Sequence, residues 1–161
     1  MSYPEPKYFG SAEVTARFRP ADTAPELPRP GGAASYLATG ASTNGRFGLY
    51  RWDIGPEPAG AKPHYHRTFS ESFFVLSGIV QLYDGKGWFD AHPGDFDYVP
   101  EGGLHGFRNE SGAPADMLIL FAPGAPREGY FEELADIGAS GRQLDDAEWV
   151  ELYARHDQHP A

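Results

Sequence analysis

Between Ser35 and Pro123 the chain alternates short apolar runs with turn-forming residues. The runs are rich in β-branched and aromatic side chains: Ser35–Thr39, Arg46–Ile54, Ser72–Leu76, Ile79–Tyr83, Gly87–Phe89, Asp95–Val99, Leu104–Arg108 and Met117–Phe121. Strands this short and this evenly spaced predict an all-β antiparallel sandwich or barrel. Asp84-Gly85-Lys86-Gly87, set between Tyr83 and Trp88, marks a hairpin turn. No long helical period interrupts the series, which argues against a parallel α/β sheet.

The flanks differ from this centre. Residues 1–34 are polar and carry Pro20, Pro25, Pro28, Pro30 and the Gly31-Gly32 pair. They predict an N-terminal arm that wraps the body, with one strand near Glu13–Phe18. Past Pro123, in 124–161, the period lengthens. Tyr130, Phe131, Leu134 and Ile137 recur at helical spacing over Arg127–Ile137, with Gly138 as the expected C-cap. A second helix is expected from Asp145, where Glu148 three residues on completes a capping-box pattern ahead of Trp149, Leu152 and Tyr153. Both helices are amphipathic and predict packing on the barrel or on a partner subunit. The expected organisation is one domain: arm 1–34, barrel 35–123, helical tail 124–161.

Composition narrows the function. A chain of 161 residues buries a substantial core as one domain. Its 20 glycines and 15 prolines accompany 14% aromatics, so they punctuate strands rather than signal disorder. A net charge of −10 disfavours nucleic acid and anionic membrane surfaces as partners. No apolar run approaches the roughly 18 residues of a membrane span, and Met1-Ser2-Tyr3-Pro4-Glu5-Pro6-Lys7 lacks the order of a secretory signal. The expected compartment is the cytoplasm. Cysteine is absent, which removes thiolate nucleophiles and sulfur ligands, so a metal ion would be held by nitrogen and oxygen alone.

Candidate chemistry concentrates after His64. His64 and His66 are two residues apart and share one face of a strand. Glu71 opens the next apolar run, and His105 lies far along the chain after the turn-rich Pro100-Glu101-Gly102-Gly103. Three imidazoles and one carboxylate suit a first-row divalent metal, and octahedral coordination would leave two cis positions open. Singly, each such residue is more often structural, which is the expectation for His92, His156 and His159.

The joint spacing is more specific. His64-Tyr-His66 is followed by four residues and Glu71, then six residues and Gly78. The second segment runs Gly94, five residues, Pro100, one residue, Gly102, two residues, His105, three residues, Asn109. This pattern resembles both motifs of the cupin superfamily, over roughly Ser35–Pro123. It departs only at the leading glycine of the first motif, where Pro58 stands and Gly60 is displaced. The resemblance implies a double-stranded β-helix (jelly-roll) barrel and one divalent metal (Fe, Mn, Ni, Cu, Co or Zn) held by His64, His66, Glu71 and His105. Gly78, Gly94 and Gly102 have a structural reading as turn formers, and Asn109 is expected to brace a turn.

Alternation places Phe73 and Val75 on the same face as Glu71, and Phe107 on that of His105, so these three are the expected substrate contacts. Tyr50, Trp52 and Ile54 share one face of their strand. The sequence is similar to the quercetin-dioxygenase-like cupins in its Phe-Val-Leu-x-Gly run, its Pro-x-Gly-x-x-His-x-Phe-x-Asn segment and its Glu-Gly-Tyr-Phe-Glu-Glu-Leu helix. Ser70 stands where that subgroup carries an acidic residue. The resemblance implies a dioxygenase-type oxidoreductase acting on a flat enolic or phenolic small molecule, with Glu71 both ligand and proton acceptor, and a homodimer. The alternatives are a non-oxidative cyclase or isomerase of polyketide-like substrates, where the metal is a Lewis acid, and a non-catalytic metal and small-molecule binding protein.

Overall fold

The computed structural model describes residues 2–161. Two antiparallel sheets face each other. The first holds β1 (Leu27–Arg29), β2 (Gly32–Ala38), β3 (Gly48–Ile54), β10 (Ala115–Ala122), β5 (Ser70–Ser77) and β8 (Phe96–Val99), with spatial order β1-β2-β3-β10-β5-β8. The second runs β11-β4-β9-β6-β7, formed by β11 (His159–Pro160), β4 (Ala59–Tyr65), β9 (His105–Asn109), β6 (Val80–Tyr83) and β7 (Trp88–Ala91). This is the antiparallel all-β architecture expected from the alternation of short apolar runs, in the double-stranded form that the resemblance implied.

Period-2 burial explains why the sheets close on one another. Along β3, Tyr50, Trp52 and Ile54 face inward, while Arg51 points to solvent. On β10, Met117, Ile119 and Phe121 are buried, paired with Trp52, Tyr50 and Gly48 of β3. Each such aromatic or aliphatic side chain contributes on the order of 2 kcal/mol through removal of apolar surface from water.

The flanks depart from expectation in instructive ways. The sheet begins at Leu27, so the last residues of the arm expected over 1–34 pair as strands. No strand forms over 13–18; Tyr3, Phe9, Val14 and Phe18 stand exposed, so the arm does not wrap the body. Helix α1 spans Arg127–Ser140 and ends on Gly141 in the left-handed region, three residues beyond the expected Gly138. Helix α2, Asp146–Arg155, is N-capped by Asp145 with the reciprocal Glu148 contact of a capping box. Among the described residues, no helix is long and apolar enough to cross a membrane.

Both helices cover one mouth of the barrel. Phe131 of α1 inserts into the barrel aromatics, with ring centroids 4.7 Å from Trp52 and 5.4 Å from Tyr50. The Tyr50 hydroxyl donates to the Glu128 carboxylate, which locks the first turn of α1 to β3. The chain then returns, and β11 pairs with β4 so that Pro160 lies opposite His64.

Candidate metal centre and cavity

Three strands, and the residue just past the end of one of them, bring four polar side chains to one point between the sheets. Register places His105 of β9 directly opposite His64 of β4, with ring centroids 4.4 Å apart. His66 follows the end of β4, and Glu71 sits near the start of β5, paired with Phe121 and Val99. All four are buried: His64, His66, Glu71 and His105 are exposed by 5%, 2%, 4% and 1%. One ligand atom from each lies within 4.8 Å of the others, a cluster that could hold a metal ion.

The backbone around the cluster explains two motif positions. The Gly102 amide donates to the His66 carbonyl at 2.7 Å, and Gly102 holds φ at +81°, where a side chain would be strained. Gly60 lies where β4 crosses β9 so closely that an added Cβ would meet the Phe107 carbonyl oxygen at 2.1 Å. The displaced glycine thus serves close strand approach, beside the register shift between Ala61 and His64. Asn109 braces a turn as expected, donating to the carbonyls of Gly55 and Ala113 and accepting from the Ser111 amide.

The proton positions follow from the hydrogen bonds. Nδ1 of His64, His66 and His105 each meets a backbone carbonyl, of Lys62 at 2.7 Å, Asp157 at 2.6 Å and Gly103 at 2.8 Å. A carbonyl only accepts, so each Nδ1 carries the hydrogen. In the neutral rings, Nε2 then offers a lone pair toward the cluster. Glu71 Oε2 lies 3.0 Å from Nε2 of His66 and 2.8 Å from Nε2 of His105. Lone pairs so placed repel unless a cation stands between them. Ligands about 2.1 Å from a metal and at right angles are about 3.0 Å apart, so these separations fit a bound divalent ion.

Electrostatics agree with that arrangement. Burial first, then the neighbouring His105, drives the His64 pKa down to about 3, so its ring stays neutral. Burial opposes the charge on Glu71, but the contacts with His105 and His66 outweigh it and hold the carboxyl well below its usual range. His105 shows the reverse balance: burial pulls it down, and the Glu71 carboxylate lifts it above the ordinary imidazole value. A proton and a metal ion therefore compete for the same place.

A cavity of about 640 Å³ opens from this cluster toward the helices. His64 and Glu71 form part of its wall, with Trp52 and Phe107 from the barrel and Leu134 and Trp149 from the helices. Of the three expected substrate contacts, only Phe107 lines it. Phe73 and Val75 do face inward, but they lie deeper in the sandwich, 1% exposed each. Phe73 packs its ring 5.9 Å from those of His105 and Phe107, so it supports the site from behind.

Several residues around the site were not anticipated: Arg29, Arg127, Tyr153, Asp157 and Gln158. Arg127 had a visible signal, since it shares the apolar helix face with Tyr130, Phe131 and Leu134, an unusual place for a cation. The others come from chain remote in sequence and carry no local sign.

The comparisons with known proteins fit this geometry. Residues 50–121 match the family model Cupin_2, described as a cupin domain. A solved protein of Klebsiella pneumoniae with a double-stranded β-helix domain superposes with a TM-score of 0.55 at 19% identity, over 70% of this chain and 94% of that one. The fold is that of the cupins. The polyketide cyclase RemF of Streptomyces resistomycificus shares this cupin fold, with a TM-score of 0.54 at 23% identity over 68% of this chain and 80% of that one. In sequence, the chain is 29% identical over 100 residues to quercetin 2,3-dioxygenase of Bacillus subtilis, which is 62% of this chain. That alignment spans 29% of the relative's length.

Proposed function

We propose that this cupin is a metal-dependent oxidoreductase of the quercetinase-like dioxygenase kind. It acts on a flat enolic or phenolic small molecule in the cavity beside His64, His66, Glu71 and His105, which hold one divalent transition metal. The observation that carries the metal site is the threefold Nδ1–H donation to backbone carbonyls, which presents three Nε2 lone pairs and the Glu71 carboxylate to one point. When bound, the metal supplies Lewis acidity and, if redox-active, a route for electrons between substrate and dioxygen. The likeness to quercetin 2,3-dioxygenase supports the oxidative reading.

The chain's own residues do the rest. Aromatic side chains such as Trp52 and Phe107 line the cavity and give a planar ring apolar surface to pack against. The helices α1 and α2 exclude bulk water from the reacting end. Glu71, held ionised, can accept the proton of an enol or phenol as that oxygen approaches the site.

Elemental analysis of the purified protein, followed by oxygen uptake with a flavonol, tests the reading. We expect about one equivalent of iron, manganese, nickel, copper or cobalt, and oxygen consumption that His66→Ala abolishes. Metal-dependent turnover of the same substrate without oxygen would instead assign the Lewis-acid cyclase or isomerase class. Stoichiometric zinc with no oxygen uptake would reject the dioxygenase.

A further inference from the structure

The cavity contains two guanidinium groups without a counter-ion. Arg127 is 4% exposed; its two terminal nitrogens donate to the His156 carbonyl at 2.8 Å and the Gln158 side-chain oxygen at 3.1 Å, both neutral acceptors. Among the described residues, no carboxylate lies within ion-pair distance of it; Glu71 acts on its charge only from farther off, and aromatic faces surround it, Tyr130 at 4.4 Å being nearest. Arg29 stacks on the Trp52 ring at 4.1 Å. Other arginines, such as Arg19, Arg51, Arg108, Arg142 and Arg155, have carboxylate partners within ion-pair distance. Among the described residues, the buried side-chain polar atoms without a hydrogen-bond partner are Nε of Arg29 and Nε of Arg127. Both residues line the cavity that His64 and Glu71 border.

A buried cation left without an anion is costly, and natural proteins supply a partner. Here no carboxylate of the described residues comes within ion-pair distance of either guanidinium, although the chain as a whole is strongly acidic. We infer that the cavity takes a small organic carboxylate, whose charged end is held by Arg127 and Arg29 while its apolar body lies among Trp52, Phe107, Leu134 and Trp149. This rests on reading the cavity as the substrate site and names the class of substrate. A guanidinium fork matches a carboxylate in shape as well as charge. Arg29 and Trp52 form the base of that receptor from the barrel, and Arg127 closes it from helix α1. The apolar lining disfavours inorganic phosphate, which has no body to bury.

The test is calorimetric titration of 2-naphthoate and its neutral isostere 2-naphthamide into the protein as purified, with metal content measured beforehand. The expected result is at least about tenfold tighter binding of the carboxylate, as for a charge-assisted pair over a neutral one. Arg29→Gln and Arg127→Gln should each weaken naphthoate about tenfold and leave naphthamide within twofold. Arg127→Gln could disturb the fold, because Arg127 also ties down His156 and Gln158; Arg29→Gln breaks no side-chain hydrogen bond and carries the test alone. Equal affinities, undetectable naphthoate binding, or a preference unchanged in Arg29→Gln would overturn the inference. Repeating the titrations after chelator treatment separates it from the metal reading. A preference that survives metal removal and falls in the Gln variants supports the guanidinium receptor, even if no metal is found. A preference that vanishes with the metal and ignores the Gln substitutions would make the metal the anion receptor, overturning this inference alone.

Discussion

Asp157→Ala should weaken both the fold and the metal site, although Asp157 lies more than 50 residues from the nearest of the four clustered side chains in sequence. Its carbonyl receives the Nδ1 hydrogen of His66 at 2.6 Å. Its carboxylate Oδ2 receives three hydrogen bonds, from the amides of Arg67 at 2.9 Å and Thr68 at 2.8 Å and from the Thr68 hydroxyl at 2.7 Å, and its Oδ1 lies 2.9 Å from Nε2 of His159. The carboxylate thus pins the tail so that the carbonyl can orient His66. Bonds to charged groups are worth about 1.5–3 kcal/mol each when buried, and less when solvent can replace them. Asp157 is partly exposed, so about 1 kcal/mol per bond is the better figure, or roughly 3 kcal/mol for the three Oδ2 bonds. For a domain of this size that lowers Tm by about 6–12 °C. Loss of an outer hydrogen-bond partner of a ligating imidazole typically costs about 10–100-fold in metal affinity. Thermal melts of the chelated protein and competitive metal titration measure the two effects separately. Asp157→Asn, which tolerates the φ of +51° and keeps one acceptor oxygen, should fall between wild type and alanine. Wild-type melting together with wild-type metal affinity in Asp157→Ala would refute the reasoning, because it would show that the tail does not position His66.

Two further outcomes follow from the same geometry. His105 has a raised pKa in the folded chain, so it contributes stability that is full below the unfolded value of 6.5 and is lost as pH rises through the folded value. The pKa of His64, lowered to about 3, works oppositely, removing stability as pH falls from 6.5 toward 3. Urea midpoints of chelated protein should therefore rise slightly from pH 8 to about 6.5 and then fall, while metal occupancy by dialysis should only decline on acidification. A chelated protein that steadily loses stability from pH 8 downward would contradict the raised His105. Gly60→Ala should destabilise the protein by about 1–3 kcal/mol, as overpacking typically does, because the new methyl meets backbone rather than a movable side chain. An unchanged denaturation midpoint would show that β4 and β9 can separate without cost.

Much of this protein could be read from local pattern. Alternating burial along segments such as Tyr50–Ile54 follows from side-chain direction in a strand, so it is encoded within a few residues. The same holds for the Asp84–Gly87 turn between β6 and β7, and for the Asp145–Glu148 capping box. The spacing of His64, His66, Glu71 and His105 was equally visible, since each sits at a fixed place relative to its own strand.

What surrounds the cluster was decided only by tertiary structure. Phe73 and Val75 obey the inward alternation, yet inward on a sandwich means either core or cavity, and depth separates the two. The return of the chain to place Asp157 behind His66, and Pro160 beside His64, joins segments about 90 residues apart. No local period encodes such a contact, because it depends on how α1 and α2 dock over the barrel mouth. Arg29 and Arg127 show the same limit. Arg127 showed only its odd place on an apolar helix face and Arg29 nothing at all; tertiary structure alone brings both to one cavity with no carboxylate of the described residues within ion-pair distance.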